Sequence, residues 1–182
     1  MEIYGIGFDA AYLNNKRKKL QQRIEELKRE ADKVLGHPIQ LSSPQKISYA
    51  LFTELGLGAY VSAKNTKQKT HQSTGEKVLK SLKAKHPLPG IILEYRHCQK
   101  LLSTWFDALE KKSVAGNHEL PRIHTGWEHT NTATGRLASV NPILQNLPKG
   151  ALSFKVDEDA DMTDEPFSIN IRDAFCCQEG SV

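Results

Sequence analysis

One short stretch in the last third of the chain combines small residues, an arginine and two amides at close spacing. Thr134 and Gly135 let a backbone approach a large ligand closely, because neither side chain is bulky. Arg136 follows directly, and a guanidinium forms directed hydrogen bonds to phosphates or to base edges. Gln145 and Asn146 supply amides suited to minor-groove acceptors, which every base pair presents at similar positions. Such a set would sense the shape of a duplex. A plain turn with capping residues explains the same residues equally well.

Other chemistries have less support in the sequence. It contains no glycine loop of the P-loop or dinucleotide type and no Gly-x-Ser-x-Gly nucleophile motif. His124 and His129 lie five residues apart, without cysteines at the spacing of a zinc site. The acidic cluster at 157–165 lacks the glycine-turned spacing of a calcium loop. We therefore expect a solvated acidic loop there.

The elements that must position the ligand-binding stretch are mainly helical. From about Ala10 to Leu35, apolar residues recur at steps of three, four or seven, which predicts one long amphipathic helix. A second long helix is predicted after Gly90, and two such helices favour an antiparallel pair. Between them, Ser43 is a predicted N-cap, and Ser73 has the spacing of a capping box with the glutamate three residues later.

The last third of the chain predicts a different kind of structure. Alternating apolar residues over 123–127 and again over 167–171 predict strands. Segments 57–72, rich in lysine, and 156–166, rich in acid, are predicted to be loops. The chain is therefore predicted to belong to the α+β class.

Composition and charge limit the range of partners. The formal net charge is +4, with lysines concentrated in the first two-thirds and carboxylates near the end. This asymmetry favours a polyanion partner for the basic part, although solvated helix faces explain such lysine blocks as well. The sequence has no apolar run of the roughly 20 residues that a membrane helix needs. Its three cysteines suit a reducing compartment, so we expect an intracellular protein.

Residues 132–148 closely resemble the first signature region of A-family DNA polymerases, in which Thr-Ala-Thr-Gly-Arg-Leu-Ser leads into Asp-Pro-Asn-Leu-Gln-Asn-Ile-Pro. Residues 86–104 look like the thumb helix of that family, and residues 166–175 look like its approach to the palm. The opening Gly-Ile-Gly-Phe at 5–8 is similar to the eukaryotic theta-type enzymes, with a nu-type relative second. A theta-type resemblance implies a nuclear location.

The resemblance also implies roles for individual residues. Arg136 would reach the minor groove at the primer terminus, and Gln145 and Asn146 would contact the template side. Residues of the thumb would contact backbone phosphates, so binding would weaken steeply with salt. The implied DNA-binding set is Arg96, Lys100, Ser103, Thr104, Thr134, Arg136, Gln145 and Asn146.

Several positions depart from the family pattern. Ile143 stands where an asparagine is usual, Ala138 replaces a common serine, His129 a common glutamine, and Leu102 a lysine found in many relatives. The family places its first metal-binding aspartate on a palm strand that we expect just beyond Val182. The resemblance implies Mg²⁺ and dNTP binding for the full-length enzyme, with no metal bound by this chain.

These observations lead to one expected organisation and three hypotheses about function. We expect a helical thumb over residues 1–112 and the first part of an antiparallel palm over 113–182. The first hypothesis is a DNA-directed DNA polymerase for replication or repair synthesis, to which this chain contributes primer–template binding while being inactive alone. The second is a stand-alone, non-catalytic DNA-binding fragment. The third is a non-functional fragment or an unrelated basic helical protein.

Overall fold

The structure, a computed structural model, describes residues 3–60, 73–115, 120–129, 134–149, 152–153 and 168–176. These residues form helices and short antiparallel strands, so the α+β prediction is confirmed. The chain divides into two compact units. We call Lys19–Leu101 the helical unit, and Met1–Lys18 together with Leu102–Val182 the sheet unit. The thumb–palm boundary at residue 112 stays a prediction.

Helix α1 is Ala10–Leu35, as predicted, and its larger part belongs to the helical unit. It begins after Asp9, whose carboxylate accepts a hydrogen bond from the backbone N–H of Tyr12 at 2.8 Å. The other helices of this unit are α2 (Pro44–Tyr49), α3 (Glu76–Leu82) and α4 (Leu88–Leu101), with a π-helical turn at Ala50–Glu54 and a 3₁₀ turn at Leu57–Tyr60.

The helix starts show which local signals were sufficient. Ser43 caps α2 as predicted, because its hydroxyl accepts from the N–H of Lys46 at 3.5 Å. The capping box predicted at Ser73 is wrong: Gly75 is the N-cap of α3, and the Ser73 hydroxyl accepts instead from the N–H of Gly75. Helix α4 begins at Leu88, earlier than predicted. Pro89 is tolerated in its first turn, because the N–H that a proline lacks would have no helical partner there.

The core of the helical unit is mainly aliphatic, and an ionic cluster around a buried arginine joins its two long helices. Arg23 of α1 is only 8% exposed and lies within 3.2 Å of carboxylate oxygens from Glu26, Glu30 and Glu94. Burial, the largest single cause, lowers the pKa of Arg23, but the hydrogen bonds it donates to Glu94 and Glu26 and the charges of Glu94 and Glu30 together outweigh burial, so the pKa is raised. Glu94 belongs to α4, so its hydrogen bond with Arg23 holds α4 against α1 at a position two residues before Arg96.

The sheet unit contains short strands. They are β1 (Ile6–Phe8), β2 (Ser113–Val114), β3 (Arg122–Ile123), β4 (Gly126–Glu128), β5 (Ala138–Val140), β6 (Leu152–Ser153), β7 (Ser168–Ile169) and β8 (Phe175–Cys176). Four of them form an antiparallel sheet of order β2-β3-β1-β8. Two further antiparallel pairs are β4–β5 and β6–β7. Helix α4 leads into this unit through a π-helical turn at Leu102–Phe106 and then α5 (Asp107–Lys112).

Close packing between β1 and β8 requires a glycine. A Cβ atom at Gly7 would lie 2.5 Å from the carbonyl oxygen of Cys176, a distance that side chains do not adopt. One position further on, the rings of Phe8 and Phe175 meet edge to face, with centroids 5.7 Å apart. The small residue at position 7 therefore lets the two strands pair.

Two predicted strands differ from the structure. The strand predicted over 123–127 is two strands, β3 and β4, which belong to different sheets. The strand predicted over 167–171 is limited to β7 within the described residues, and a 3₁₀ turn at Ile171–Ala174 follows it. Asn170 causes this change by accepting a hydrogen bond from the N–H of Arg172. The predicted acidic loop and most of the lysine-rich loop lie outside the described residues.

Replacing Arg23 by methionine should destabilise the helical unit, because the change leaves Glu30 and Glu94 together without their shared cation. Hydrogen bonds to charged groups contribute about 1.5–3 kcal/mol, so we expect the free energy of unfolding to fall by about 2 kcal/mol. Urea denaturation followed by circular dichroism measures the change. Arg29→Met, at an exposed position of the same helix, is the matched control and should alter the free energy by less than about 0.5 kcal/mol. Equal effects of the two variants would contradict the role given to Arg23.

Candidate nucleic-acid interface

The arginine singled out from the sequence lies just before β5. Gly135 adopts a φ of +68°, a left-handed conformation that residues with a Cβ rarely adopt. No described atom lies within 4 Å of where a Cβ at Gly135 would be, so its backbone conformation, not crowding, requires glycine. Thr134 and Arg136 flank it, and both side chains are exposed. Gly135 therefore sets the direction in which the chain presents Arg136.

Residues 137–148, which we call the signature segment, follow Arg136 and are largely irregular. Only β5 and a 3₁₀ turn at Leu144–Asn146 interrupt the irregular chain. Asn141 has a φ of +54°, and the Asn141–Pro142 peptide bond is cis. Such a segment needs side chains to satisfy its backbone polar groups.

Gln145 supplies two of those partners. Its Nε2 donates to the carbonyl oxygen of Leu137, and its Oε1 accepts from the backbone N–H of Ser139 at 3.2 Å. A carbonyl can only accept and a backbone N–H can only donate, so this pairing determines the orientation of the amide. The family resemblance implies that Gln145 contacts DNA. In the structure, its carboxamide nitrogen and oxygen each bond a backbone group of the signature segment.

Two buried hydroxyls hold the middle of the signature segment. Ser139 is 2% exposed, and its Oγ accepts from the N–H of Leu144 at 2.9 Å. Thr125, 4% exposed and located between β3 and β4, lies 2.8 Å from the carbonyl oxygen of Pro142 and 3.0 Å from that of Val140. The hydroxyl has one proton, so it donates either to one of these oxygens or to both in a bifurcated hydrogen bond. Both hydroxyls therefore stabilise the chain around Pro142.

Arg172 fixes the end of the signature segment. Its Nε donates to the carbonyl oxygen of Pro148 at 3.1 Å, and its Nη2 to that of Leu147 at 3.2 Å. The signature segment is thus held at its start by its own Gln145, in its middle by Ser139 and the distant Thr125, and at its end by the distant Arg172. Thr125 and Arg172 were missed as contributors to the site, because no local pattern signals a side chain that bonds a backbone more than ten residues away.

Asn146 and the apolar residues beside it face outward. Asn146 is exposed at the end of the 3₁₀ turn. Leu137, Val140 and Ile143 are also exposed, with Ile143 at 50%. The surface of the signature segment therefore presents the Asn146 amide and several aliphatic groups beside Arg136.

In the helical unit, Arg96 is already bonded within the protein. Its guanidinium donates to both the carbonyl oxygen and the hydroxyl of Thr74, the latter at 3.1 Å. Burial lowers the pKa of Arg96. Arg96 also lines a groove of about 670 Å³, whose polar lining comes from Ser42, Gln45, Ser48, Ser73, Thr74 and Gln99. Arg96 therefore shapes this groove by fixing the chain ahead of α3.

Lys100 lies one turn beyond Arg96 on α4, and its side chain is exposed. The pKa of Glu76 is lowered, first by its hydrogen bond with Lys80 and also by the charges of Lys100 and His97. The start of α3 and this turn of α4 thus form a mainly positive surface in the helical unit. Ser103 and Thr104 belong to the sheet unit, where both are exposed on the π-helical turn.

The described residues do not fit a metal ion. Within the ranges described above, no group of three or more histidine, cysteine, aspartate or glutamate side chains is arranged to hold one. The acidic cluster at 157–165 lies outside those ranges. Among the described helices, none is long and apolar enough to cross a membrane.

Known proteins with similar sequences and structures identify the family. The family model for DNA polymerase family A matches residues 10–182. The thermostable DNA polymerase I of Thermus thermophilus is 34% identical over 182 residues, and the DNA polymerase I of Synechocystis is 38% identical over 148 residues, which is 81% of the chain. A solved structure described as the POL domain of Pol1 from M. smegmatis, in complex with DNA primer-template and dNTP, matches 98% of the chain and 28% of its own. Its TM-score is 0.69 and its sequence identity is 30%.

These relatives correct one prediction and leave another without support. The prediction of a nuclear location is wrong, because it depended on a eukaryotic subtype and the named relatives are bacterial DNA polymerase I proteins. They lend no support to the theta-type or nu-type subtype.

The chain covers 20% of the Thermus thermophilus protein and 14% of the Synechocystis protein, so it spans about a fifth or less of these relatives. The family model nevertheless matches nearly its whole length, and that match includes the signature segment and the arginine before it. The chain therefore belongs to DNA polymerase family A.

Proposed function

We propose that this chain supplies primer–template binding to a DNA-directed DNA polymerase of the DNA polymerase I type, which acts in replication and repair synthesis. The main support is the structural match to a polymerase domain that is described as bound to DNA primer-template and dNTP. That match covers 98% of the chain at 30% identity, so it extends over both units. The stand-alone fragment is the weaker alternative, since the named relatives are DNA polymerases.

In this proposal Arg136 lies in the minor groove at the primer terminus. The minor groove offers a base acceptor at nearly the same place in every base pair, and a guanidinium can donate to it without reading sequence. Asn146 offers a second donor from the same surface, and Thr134 contacts the backbone beside it. A polymerase needs this kind of recognition, because it must hold any sequence that is correctly paired.

Contacts to phosphates come from α4 and from the turn that follows it. Lys100 supplies an exposed charge, while Ser103 and Thr104 supply hydroxyls on an exposed π-helical turn. The Arg96 guanidinium already donates to Thr74, so it contributes to phosphate binding mainly through the positive potential and through the groove that it shapes. Phosphate contacts position a duplex and make binding dependent on salt.

The chemical step needs more than the described residues offer. Nucleotidyl transfer of this type uses two metal ions that stabilise the attacking and leaving oxygens, and Mg²⁺ is the ion expected in the full-length enzyme. The described residues present no group of carboxylates arranged to hold such ions. We propose that residues 1–112 act as the thumb, that 113–182 act as the first part of the palm, and that the 182-residue chain alone binds DNA without extending it.

Arg136→Ala should weaken binding to DNA with a recessed 3′ end by about ten- to a hundredfold, since a good base-edge contact contributes about 1–3 kcal/mol. Fluorescence anisotropy with labelled recessed-end DNA measures the dissociation constant at fixed salt. Arg29→Ala, an exposed arginine on α1, should change it less than twofold. An unchanged affinity in Arg136→Ala would refute the proposed place of Arg136 at the primer terminus.

Lys100→Ala and Arg96→Lys should separate phosphate binding from structural support. Lys100→Ala should make the plot of log affinity against log salt concentration shallower by about 1, with no loss of stability, because one phosphate contact disappears. Arg96→Lys keeps the charge but loses the planar fork, so the free energy of unfolding should fall by about 1 kcal/mol while the salt slope stays the same. An unchanged salt slope in Lys100→Ala would contradict the phosphate contact of Lys100, and an unchanged free energy of unfolding in Arg96→Lys would contradict the structural role of Arg96.

A further inference from the structure

We propose that Gln145 is a positioning residue, which sets the direction of Arg136 through the backbone of Leu137 and does not itself contact DNA. This inference rests on the proposed function of Arg136. It also replaces the direct DNA contact that the family resemblance implies for Gln145.

The carboxamide of Gln145 acts as a substitute for a neighbouring strand. In an extended strand, the carbonyl of one residue and the N–H of the residue two positions later point to the same edge. The carbonyl of Leu137 and the N–H of Ser139 have this relation, and Gln145 bonds both. Strand β4 pairs with β5 through Gly126–Glu128 opposite Ala138–Val140. Gln145 therefore supplies the donor and the acceptor that another strand would bring to β5.

Ser139, whose N–H bonds the Gln145 side chain, also holds the backbone that leads to Gln145. Ser139 accepts from the N–H of Leu144 through its buried hydroxyl, while its own N–H donates to Gln145. Ser139 thus fixes both residue 144 and the side chain of residue 145. The carboxamide is held from two sides, and the bonds form a closed loop within the signature segment.

Arg136 lies next to this closed loop. The bonded carbonyl belongs to Leu137, the residue directly after Arg136, and Gly135 directly before it has the left-handed φ of +68°. A change at Gln145 releases the Leu137 peptide, and with it the backbone that directs the guanidinium. The expected result is a loss of primer-end affinity without the loss of any DNA contact made by Gln145.

The test is a double-mutant cycle on the 182-residue chain, with affinity for recessed-end DNA measured by fluorescence anisotropy. Gln145→Met keeps the length of the side chain and removes both hydrogen bonds, and we expect it to weaken binding by about three- to tenfold. In the Arg136→Ala background, the same change should have less than a twofold effect, because its action passes through Arg136. Gln22→Met, the same substitution at an exposed position on α1, is the matched control and should leave affinity unchanged.

A second readout does not depend on DNA. Hydrogen exchange of the Ser139 amide, followed by NMR, should be at least tenfold faster in Gln145→Met than in the original chain. Gln145→Glu keeps an oxygen acceptor for this amide but places a second oxygen against the Leu137 carbonyl. It should retain slow exchange at Ser139 while still weakening DNA binding, and it also serves if Gln145→Met folds poorly.

The outcomes distinguish failure of this inference from failure of the proposed function. If Gln145→Met weakens binding by the same factor in both backgrounds, Gln145 contacts DNA itself and the inference is wrong. If Gln145→Met has no effect on affinity while Arg136→Ala does, the inference is also wrong. If Arg136→Ala leaves affinity unchanged, the proposed function of Arg136 fails, and the exchange rate of the Ser139 amide still decides whether Gln145 holds this backbone.

Discussion

The need to satisfy backbone polar groups in an irregular chain governs the candidate functional surface of the sheet unit. The signature segment includes only a three-residue strand and a three-residue 3₁₀ turn, so most of its N–H and C=O groups have no partner from regular secondary structure. Side chains from three separate parts of the sequence supply partners: Thr125, Gln145 and Arg172. A buried donor or acceptor left unbonded costs about 1–3 kcal/mol. This cost applies to the Pro142 carbonyl that Thr125 bonds, whereas the bonds made by Gln145 and Arg172 are partly or fully exposed.

The sequence predicted the helices better than the strands, for a physical reason. The apolar period that predicts α1 is local, and its bounds of Ala10 and Leu35 agree with the structure. The alternation at 123–127 is local too, but pairing with distant strands decides which sheet each residue joins. The two strands are separated at Thr125. Its hydroxyl donates to carbonyl oxygens of the signature segment. No pattern within five residues contains that information.

The candidate site shows the same limit at the level of single side chains. Residue type identified Arg96 and Lys100 as cations on one helix, and the resemblance gave both the same role. In the structure Arg96 is partly buried and donates hydrogen bonds to Thr74, while Lys100 is exposed. Arginine suits such an internal role, because its planar fork can donate to two acceptors while its charge remains. Sequence can therefore propose the members of a site, but the acceptors around each cation decide its role.

A division of roles follows for the surface around Arg136. One N–H and one oxygen lone pair of the Gln145 carboxamide hold the backbone, so these are not available to a ligand. In the proposed function, recognition then depends chiefly on the guanidinium before the signature segment and on the amide of Asn146. Few donors on a rigid backbone suit a partner that must be accepted in any sequence, since ordering the backbone before binding lowers the entropic cost of each contact. The exposed aliphatic side chains of Leu137, Val140 and Ile143 add surface without a hydrogen-bonding preference among base pairs. The proposed recognition of duplex shape would thus follow from where the polar atoms of this segment are already bonded.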